Sequence, residues 1–386
     1  MWSVSIPFLR PPEAPGRCLH GAFGLDRSIF RAIVMLMSPH AGRSSLESAH
    51  DPSGVVSTPT EILAPLAPAM RELERLLERQ CDIFEPGVAT CVHYVAGNQG
   101  KRLRPALVIF SANARQGTDI GQTDAALLKI CAIVELVHIA TLVHDDILDG
   151  AELRRGRLTA GAKWGHEVSV LLGDCLFAHA LVLAASFPTP FVCRRIAEAT
   201  NIVCSGEILQ TQRRFDFKLG EEDYLKMIEM KTGTLFAVAC ELGAHMAGAD
   251  DEQRGRFYEF GRLLGIAYQI YDDCLDLIGA EKEIGKSLGT DFQKGKLTLP
   301  VIYLLQQTGK SESHLVSSIL LNEHANSRSM LMEFVRRYGT LRQAAQQGRS
   351  ITHKAAVQLR QLPANEGRRC LENLTNYLDS ELDRLG

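Results

Sequence analysis

The sequence predicts an all-α protein, one large helical bundle. Three observations carry this. Apolar residues recur at helical spacing along most of the chain. Ala, Leu, Glu and Arg dominate, which favours helix, while aromatics make up only 6%. No run alternates apolar and polar residues as a half-buried strand would. At 46% hydrophobic and 23% charged, the chain has ample material for a large core.

The elements follow in order. Thr58-Pro59-Thr60-Glu61 opens the ordered part: Thr58 and Glu61 have capping-box spacing, and Pro59 falls at the first helical position. Leu66, Met70, Leu73 and Leu77 then trace a stripe through a charged segment. From Asp124 to Asp149 the stripe is Leu127, Ile130, Cys131, Val134, Val137, His138 and Thr141. Further helices are predicted at about 168–186, 194–217, 221–248, 251–278, 299–307, 330–338, 340–361 and 366–385. Phe187-Pro188-Thr189-Pro190, Lys218-Leu219-Gly220 and Gly279 to Gly295 read as loops between them. No linker divides residues 58–386, so they are predicted to form one domain.

Residues 1–57 differ. They carry Pro, Gly, Ser and Arg with little periodicity, and only Glu13, Asp26, Glu47 and Asp51 are acidic. This predicts a disordered N-terminal extension, with an organellar transit peptide as the alternative. A net charge of −3 argues against a nucleic-acid partner. No uninterrupted apolar run reaches about 18 residues, so no transmembrane span is expected. The ten cysteines are scattered without a CxxC pair, which argues against a zinc site and for a reducing, cytoplasmic compartment.

The chemistry is announced by LVHDDILDGAELRRG, Leu142 to Gly156. Asp145 and Asp149 stand four apart, so on a helix they face nearly the same way. Like charges at that spacing destabilise a helix, most of all near its C-terminal end, where the dipole is already negative. A divalent cation would offset this, and oxygen-rich sites suit Mg²⁺. Taken alone, the run describes a solvated acidic helix end equally well. A second run changes the balance. YQIYDDCLDL, 268–277, repeats the spacing with Asp272, Asp273 and Asp276, again closing an apolar helix. Carboxylates ringing one cavity could not stand unpaired in a partly buried site. Metal ions and a polyanionic ligand would neutralise them.

Cations accompany both runs. Arg154 and Arg155 follow the first. Gly100-Lys101-Arg102-Leu103-Arg104-Pro105 stands ahead of a helix, Lys231-Thr232 lies within one, and Lys286 and Lys296 flank the loop after the second run. Arg offers a planar fork for phosphate oxygens and Lys a compact charge. A lone cation would be a solvated surface group; together these ask for two diphosphate groups, one held through metals and one directly.

With these motifs the chain resembles the trans-isoprenyl diphosphate synthases. The landmarks are GKRLRP (100–105), HDDILD with RRG (144–149 and 154–156), GEILQ (206–210), KTG (231–233), QIYDDCLD (269–276) and GKSLGTDFQKGKLTLP (285–300), in family order. The resemblance implies an all-α fold with a central cavity, a homodimer, and about three Mg²⁺ ions per site. It implies that Asp145 and Asp149 bind Mg²⁺ bridging to an allylic diphosphate, that Asp146 supports them, and that Asp272, with Asp273 and Asp276, holds a further ion. Arg154, Lys231, Thr232, Gln269, Lys286 and Lys296 would contact the allylic diphosphate. Lys101, Arg104, His138 and Arg155 would hold isopentenyl diphosphate. The catalytic set is then Asp145, Asp146, Asp149, Arg154, Lys231, Asp272 and Asp273. Where the family usually has two glycines before the first basic lysine, this chain has Gln99-Gly100.

Family members with large aromatics four or five residues before the first acidic motif stop chain growth early. Here those positions hold Thr141 and Ala140, with Val137 one turn deeper. The resemblance therefore extends to the long-chain members that make quinone side chains. Alternatives are a short-chain farnesyl or geranylgeranyl synthase, with Phe177 on another helix closing the cavity, and a non-catalytic partner subunit. A terpene cyclase would share the first acidic motif but lack the second and the basic isopentenyl diphosphate site.

Overall fold

The computed structural model describes residues 58–97, 100–117, 120–121, 123–278, 294–321 and 326–386. The predicted extension over 1–57 lies outside the described residues, as do Gln99, Lys286 and most of the loop after the second acidic run. α1 (Pro59–Leu63) opens on the expected capping box: Thr58 and Glu61 each bond the other's backbone. A 3₁₀ turn leads into α2 (Ala67–Cys81), whose stripe of Leu73 and Leu77 is buried. α3 (Pro86–Ala96), α4 (Leu103–Gln116) and α5 (Ala125–Leu148) follow. The Asp124 side chain accepts from the Leu127 N–H and so fixes the start of α5.

After α5 comes a feature too short for sequence periodicity to reveal. β1 (Leu153–Arg154) pairs antiparallel with β2 (Arg157–Leu158), Leu153 opposite Leu158. The two-residue turn between them is Arg155-Gly156, both at positive φ (52° and 73°), the backbone sense that matches strand twist. α6 (Ala160–Trp164), α7 (His166–Ala185) and α8 (Phe191–Gln212) come next. The sequence places the end of α8 at Phe217; it stops earlier because Phe215 turns to φ 59° and donates its N–H to Gly295 O at 2.8 Å.

The helix predicted over 221–248 is interrupted. α9 (Glu221–Ile228) passes into a π-helical turn, Glu229–Gly233, before α10 (Thr234–Met246). α10 is the innermost helix: every residue from Thr234 to Ala244 is buried, against α4, α5, α8 and α11 (Asp251–Ile278). α12 (Leu299–Gln307), α13 (Lys310–Leu320), α14 (Ser327–Tyr338), α15 (Thr340–Leu359) and α16 (Glu366–Leu385) complete the bundle, α15 and α16 packing on α11.

The expectation that no segment is apolar enough to span a membrane needs correction. α5 and α7 both reach that length and hydropathy, because isolated polar residues do not lower the average enough. In α5 two-thirds of the apolar window (67%) is buried in the bundle, as a core helix requires; in α7 only 33% is. Val168, Leu171 and Val182 of α7 are exposed.

One buried ion cluster ties the N-terminal helices together. Arg102, the residue before α4, adopts a left-handed backbone (φ 48°) and is only 7% exposed. Its guanidinium grips both oxygens of Glu74 on α2, at 2.8 and 3.0 Å, and bonds Glu135 of α5 at 2.6 Å. The fork geometry of arginine allows one cation to serve two carboxylates. Removing a partner from such a cluster leaves buried charge uncompensated. Arg102→Met should therefore cost about 3–5 kcal/mol in urea unfolding; a loss below about 1 kcal/mol would show that Glu74 and Glu135 find water instead.

Candidate functional site

The turn into α4 decides where the basic side chains go. Arg102 is anchored inward, and with its neighbours Lys101 and Arg104 it borders a cavity of about 140 Å³. Gly100 completes this arrangement. Any Cβ there would lie 2.9 Å from the Arg155 guanidinium, so only glycine admits that side chain without displacing it. The glycine requirement here is close approach.

His138 and Arg155 border the same cavity, together with Asp146, Arg154 and Asp272. Members of both acidic runs thus meet the basic set at one place. Burial, and then the charges of Arg104 and Arg155, hold the His138 imidazole well below its usual pKa, so it is neutral and adds a donor without adding charge. Arg104 Nε is buried with no hydrogen-bond partner among the described residues, and its guanidinium lies 5.0 Å over the Phe236 ring. A buried donor of this kind suits an anionic oxygen.

Beside this cavity stands a second constellation, around Asp145 and Asp149. Asp149 caps α5 and meets Lys296 at 2.8 Å, Arg214 at 3.2 Å and Lys294 at 3.7 Å. Burial alone would raise its pKa, but Lys296, aided by Lys294 and Lys231, holds it below the ordinary value. Asp146 pairs with Arg154 at 2.7 Å, yet burial outweighs that pairing and its pKa rises. Lys231 approaches Asp145 at 3.3 Å, Glu207 at 2.6 Å and Gln210 at 3.3 Å. It extends from the π-helical turn, and α8 comes close enough to meet it because residue 206 is glycine: a Cβ would lie 2.8 Å from Met230 Cβ.

The second acidic run divides its labour. Asp273 is buried with both oxygens engaged: Tyr224 donates to one at 2.7 Å and Gln269 to the other at 2.7 Å. Gln269 in turn accepts from Thr232 Oγ1 at 2.7 Å. Three of the expected ligand-contacting residues are therefore joined in one chain, which fixes the inner turn of α11. Asp272 faces the cavity, and Asp276 stands one turn further on, half-buried.

Among the described residues, no three His, Cys, Asp or Glu side chains converge to hold a metal ion unaided. Mg²⁺ is usually bound by one or two carboxylates, with water and substrate phosphate supplying the rest. Asp145, Asp149 and Asp272 could supply such carboxylates.

The expected chain-length positions lie elsewhere on α5. Val137 and Ala140 are buried, and Thr141 donates to His138 O at 2.7 Å. They share a helix face with His144, whose ring packs on Phe177 of α7 at 5.7 Å and bonds Val170 O at 3.0 Å. This stripe faces α7; the basic cavity is bordered by Ile139 and Leu142 instead.

Sequence reasoning passed over Arg102, Glu207 and Gln210. The GEILQ segment was visible, but nothing in it showed that Glu207 reaches Lys231.

Residues 85–337 match the polyprenyl synthetase family. The chain is 32% identical over 287 residues to octaprenyl diphosphate synthase of Escherichia coli (strain K12), covering 74% of this chain and 87% of that one. A decaprenyl diphosphate synthase crystal structure from Rhodobacter capsulatus superposes with a TM-score of 0.76 at 31% identity, covering 84% of this chain and 98% of the other. A polyprenyl synthase from Caulobacter crescentus CB15, complexed with calcium and isoprenyl diphosphate, gives 0.76 at 32% identity, covering 83% and 96%.

Glu207 supplies a pH test. Burial and the charge of Asp145, opposed in part by Lys231, push its carboxyl up to about 6 from 4.5. Between those values the folded protein binds more protons than the unfolded chain, so this group lowers stability as pH rises through the window. Glu207→Gln should flatten that part of a Tm-against-pH curve. An unaltered slope would place the titration elsewhere.

Proposed function

The chain belongs to the polyprenyl synthetase family, and from that premise we propose that it builds a long-chain polyprenyl diphosphate by adding isopentenyl diphosphate units to an allylic diphosphate. It is a prenyltransferase. The observation that carries the reading is the convergence of Lys101, Arg104, His138 and Arg155 with Asp146, Arg154 and Asp272 around one cavity. The long-chain relatives and the small residues at Ala140 and Thr141 support the chain length; quinone side chains are the corresponding end use.

The cavity's cations would hold isopentenyl diphosphate, and the neutral His138 adds a hydrogen bond without repelling them. Lys231 and Lys296, which lie against Asp145 and Asp149, would take the allylic diphosphate. Mg²⁺, held by Asp145, Asp149 and Asp272, would supply charge neutralisation to the departing diphosphate; about three ions per site is our expectation. Fixed cations at that position favour breaking the allylic C–O bond, because negative charge develops on the leaving oxygen. The isopentenyl double bond then forms the new C–C bond, and the resulting cation loses a proton to the released diphosphate, restoring a double bond. No side-chain nucleophile takes part.

The exposed apolar residues of α7 support a homodimer, with a second copy covering Val168, Leu171 and Val182.

Asp145→Ala should abolish turnover with farnesyl and isopentenyl diphosphates while leaving the circular-dichroism melt intact; retained activity would remove Asp145 from the metal site. Sized after dephosphorylation, wild-type products should run from hexaprenyl to decaprenyl. Products ending at farnesyl or geranylgeranyl would mean that another residue, with Phe177 the first to examine, closes the chain channel. Sedimentation of the same preparation should give a dimer, and a monomer at micromolar concentration would refute the assignment of α7.

A further inference from the structure

The β1–β2 hairpin carries Arg154 and Arg155, and the ion pair of Arg154 with Asp146 anchors its first strand; the strand pairing itself adds little. Its strands are two residues long, and Leu153 and Leu158 are 61% and 49% exposed. Its turn places Arg155, a non-glycine residue, at positive φ, a conformation that persists only where surrounding contacts enforce it. One aromatic residue from a different helix meets this segment repeatedly. Tyr94 of α3 donates its O–H to Leu158 O at 2.9 Å. Its ring lies 4.4 Å from the Arg157 guanidinium and 3.8 Å from Lys163 Nζ, and packs edge-on against Trp164 at 5.0 Å.

We propose that Tyr94 is a positioning residue for the isopentenyl diphosphate site, a latch that sets the hairpin so that Arg155 reaches the cavity. This rests on the functional reading above. The placement argues for it in three ways. Tyr94 borders the cavity itself. In the sequence its helix, which ends at Ala96, closely precedes the Gly100–Arg104 segment. And Arg155, at the hairpin tip, packs against Gly100 of that segment, so a shift of the hairpin would move the guanidinium off its seat. A cation over an aromatic face is attracted by the ring's electrons, and here two exposed cations share one ring.

The test separates the two diphosphates. Isopentenyl diphosphate binding is measured by calorimetry, alongside KM for isopentenyl and farnesyl diphosphates. Tyr94→Ala should weaken isopentenyl diphosphate binding about tenfold, equivalent to about 1.4 kcal/mol, with the farnesyl diphosphate KM changed less than about twofold. Tyr94→Phe, which keeps the ring and loses one hydrogen bond, should recover most of the affinity. Arg157→Ala, combined with Tyr94→Ala, should add less than it does alone, since the pair acts as a unit. Should Tyr94→Ala fail to fold, Tyr94→Phe and Arg157→Ala with their double variant read the same coupling. Equal affinity in wild type and Tyr94→Ala, or an equal loss for both substrates, overturns the latch. Wild type that binds no isopentenyl diphosphate overturns the functional reading and the latch with it.

Discussion

Carboxylates set at the C-terminal end of an apolar helix must find positive charge, and the architecture of this protein follows from that requirement. The dipoles of α5 and α11 point their negative ends at the site. Helix ends from elsewhere then bring the counter-charges: Lys231 from the π-helical turn, Arg154 from the hairpin, Lys296 and Arg214 from segments beyond α11 and α8. Each of these elements lies where its cation can reach an aspartate. The bundle is thereby organised around one charged mouth, with an apolar interior behind it.

The pairing has a second aspect. Charge pairs near a surface are weak individually, and solvent competes for them. Partly buried ones are stronger, but a polyanion with more oxygens can draw the same cations toward itself. Lys231 and Lys296 are of this partly buried kind. Arg102 differs. It is buried, gripped by two carboxylates, and belongs to the scaffold although it stands between two residues of the binding set.

That contrast marks what the sequence could reveal. Helix stripes, the Thr58 cap and both acidic runs were legible because their information is local: spacing and capping need only neighbours in the chain. Lys101, Arg102 and Arg104 were legible as a cluster but not as individuals, since their division of labour depends on Glu74 and Glu135, far away in sequence. Asp273 looked identical to Asp272 until Tyr224 and Gln269 came within reach of it. The hairpin escaped notice because strands of two residues show no alternation. The exposed side of α7 escaped because its composition is that of a core helix; only its neighbours, or their absence on one side, distinguish the two.

The π-helical turn at Glu229–Gly233 has a consequence for how this sequence can change. Such a turn accommodates one residue more than an α-helical turn of the same height. Losing that residue would restore regular helix and rotate everything after it by about 100°. For an amphipathic helix, that would exchange one face for another and could be repaired at a few positions. α10 has no spare face: it touches neighbours on all sides, and Thr234 to Ala244 would all need new partners at once. The insertion is thus locked in place by the helix that follows it. Chains with and without it are separated by a step that single substitutions cannot bridge, and the phase that aims Lys231 at Asp145 is preserved by the packing of the helix that follows.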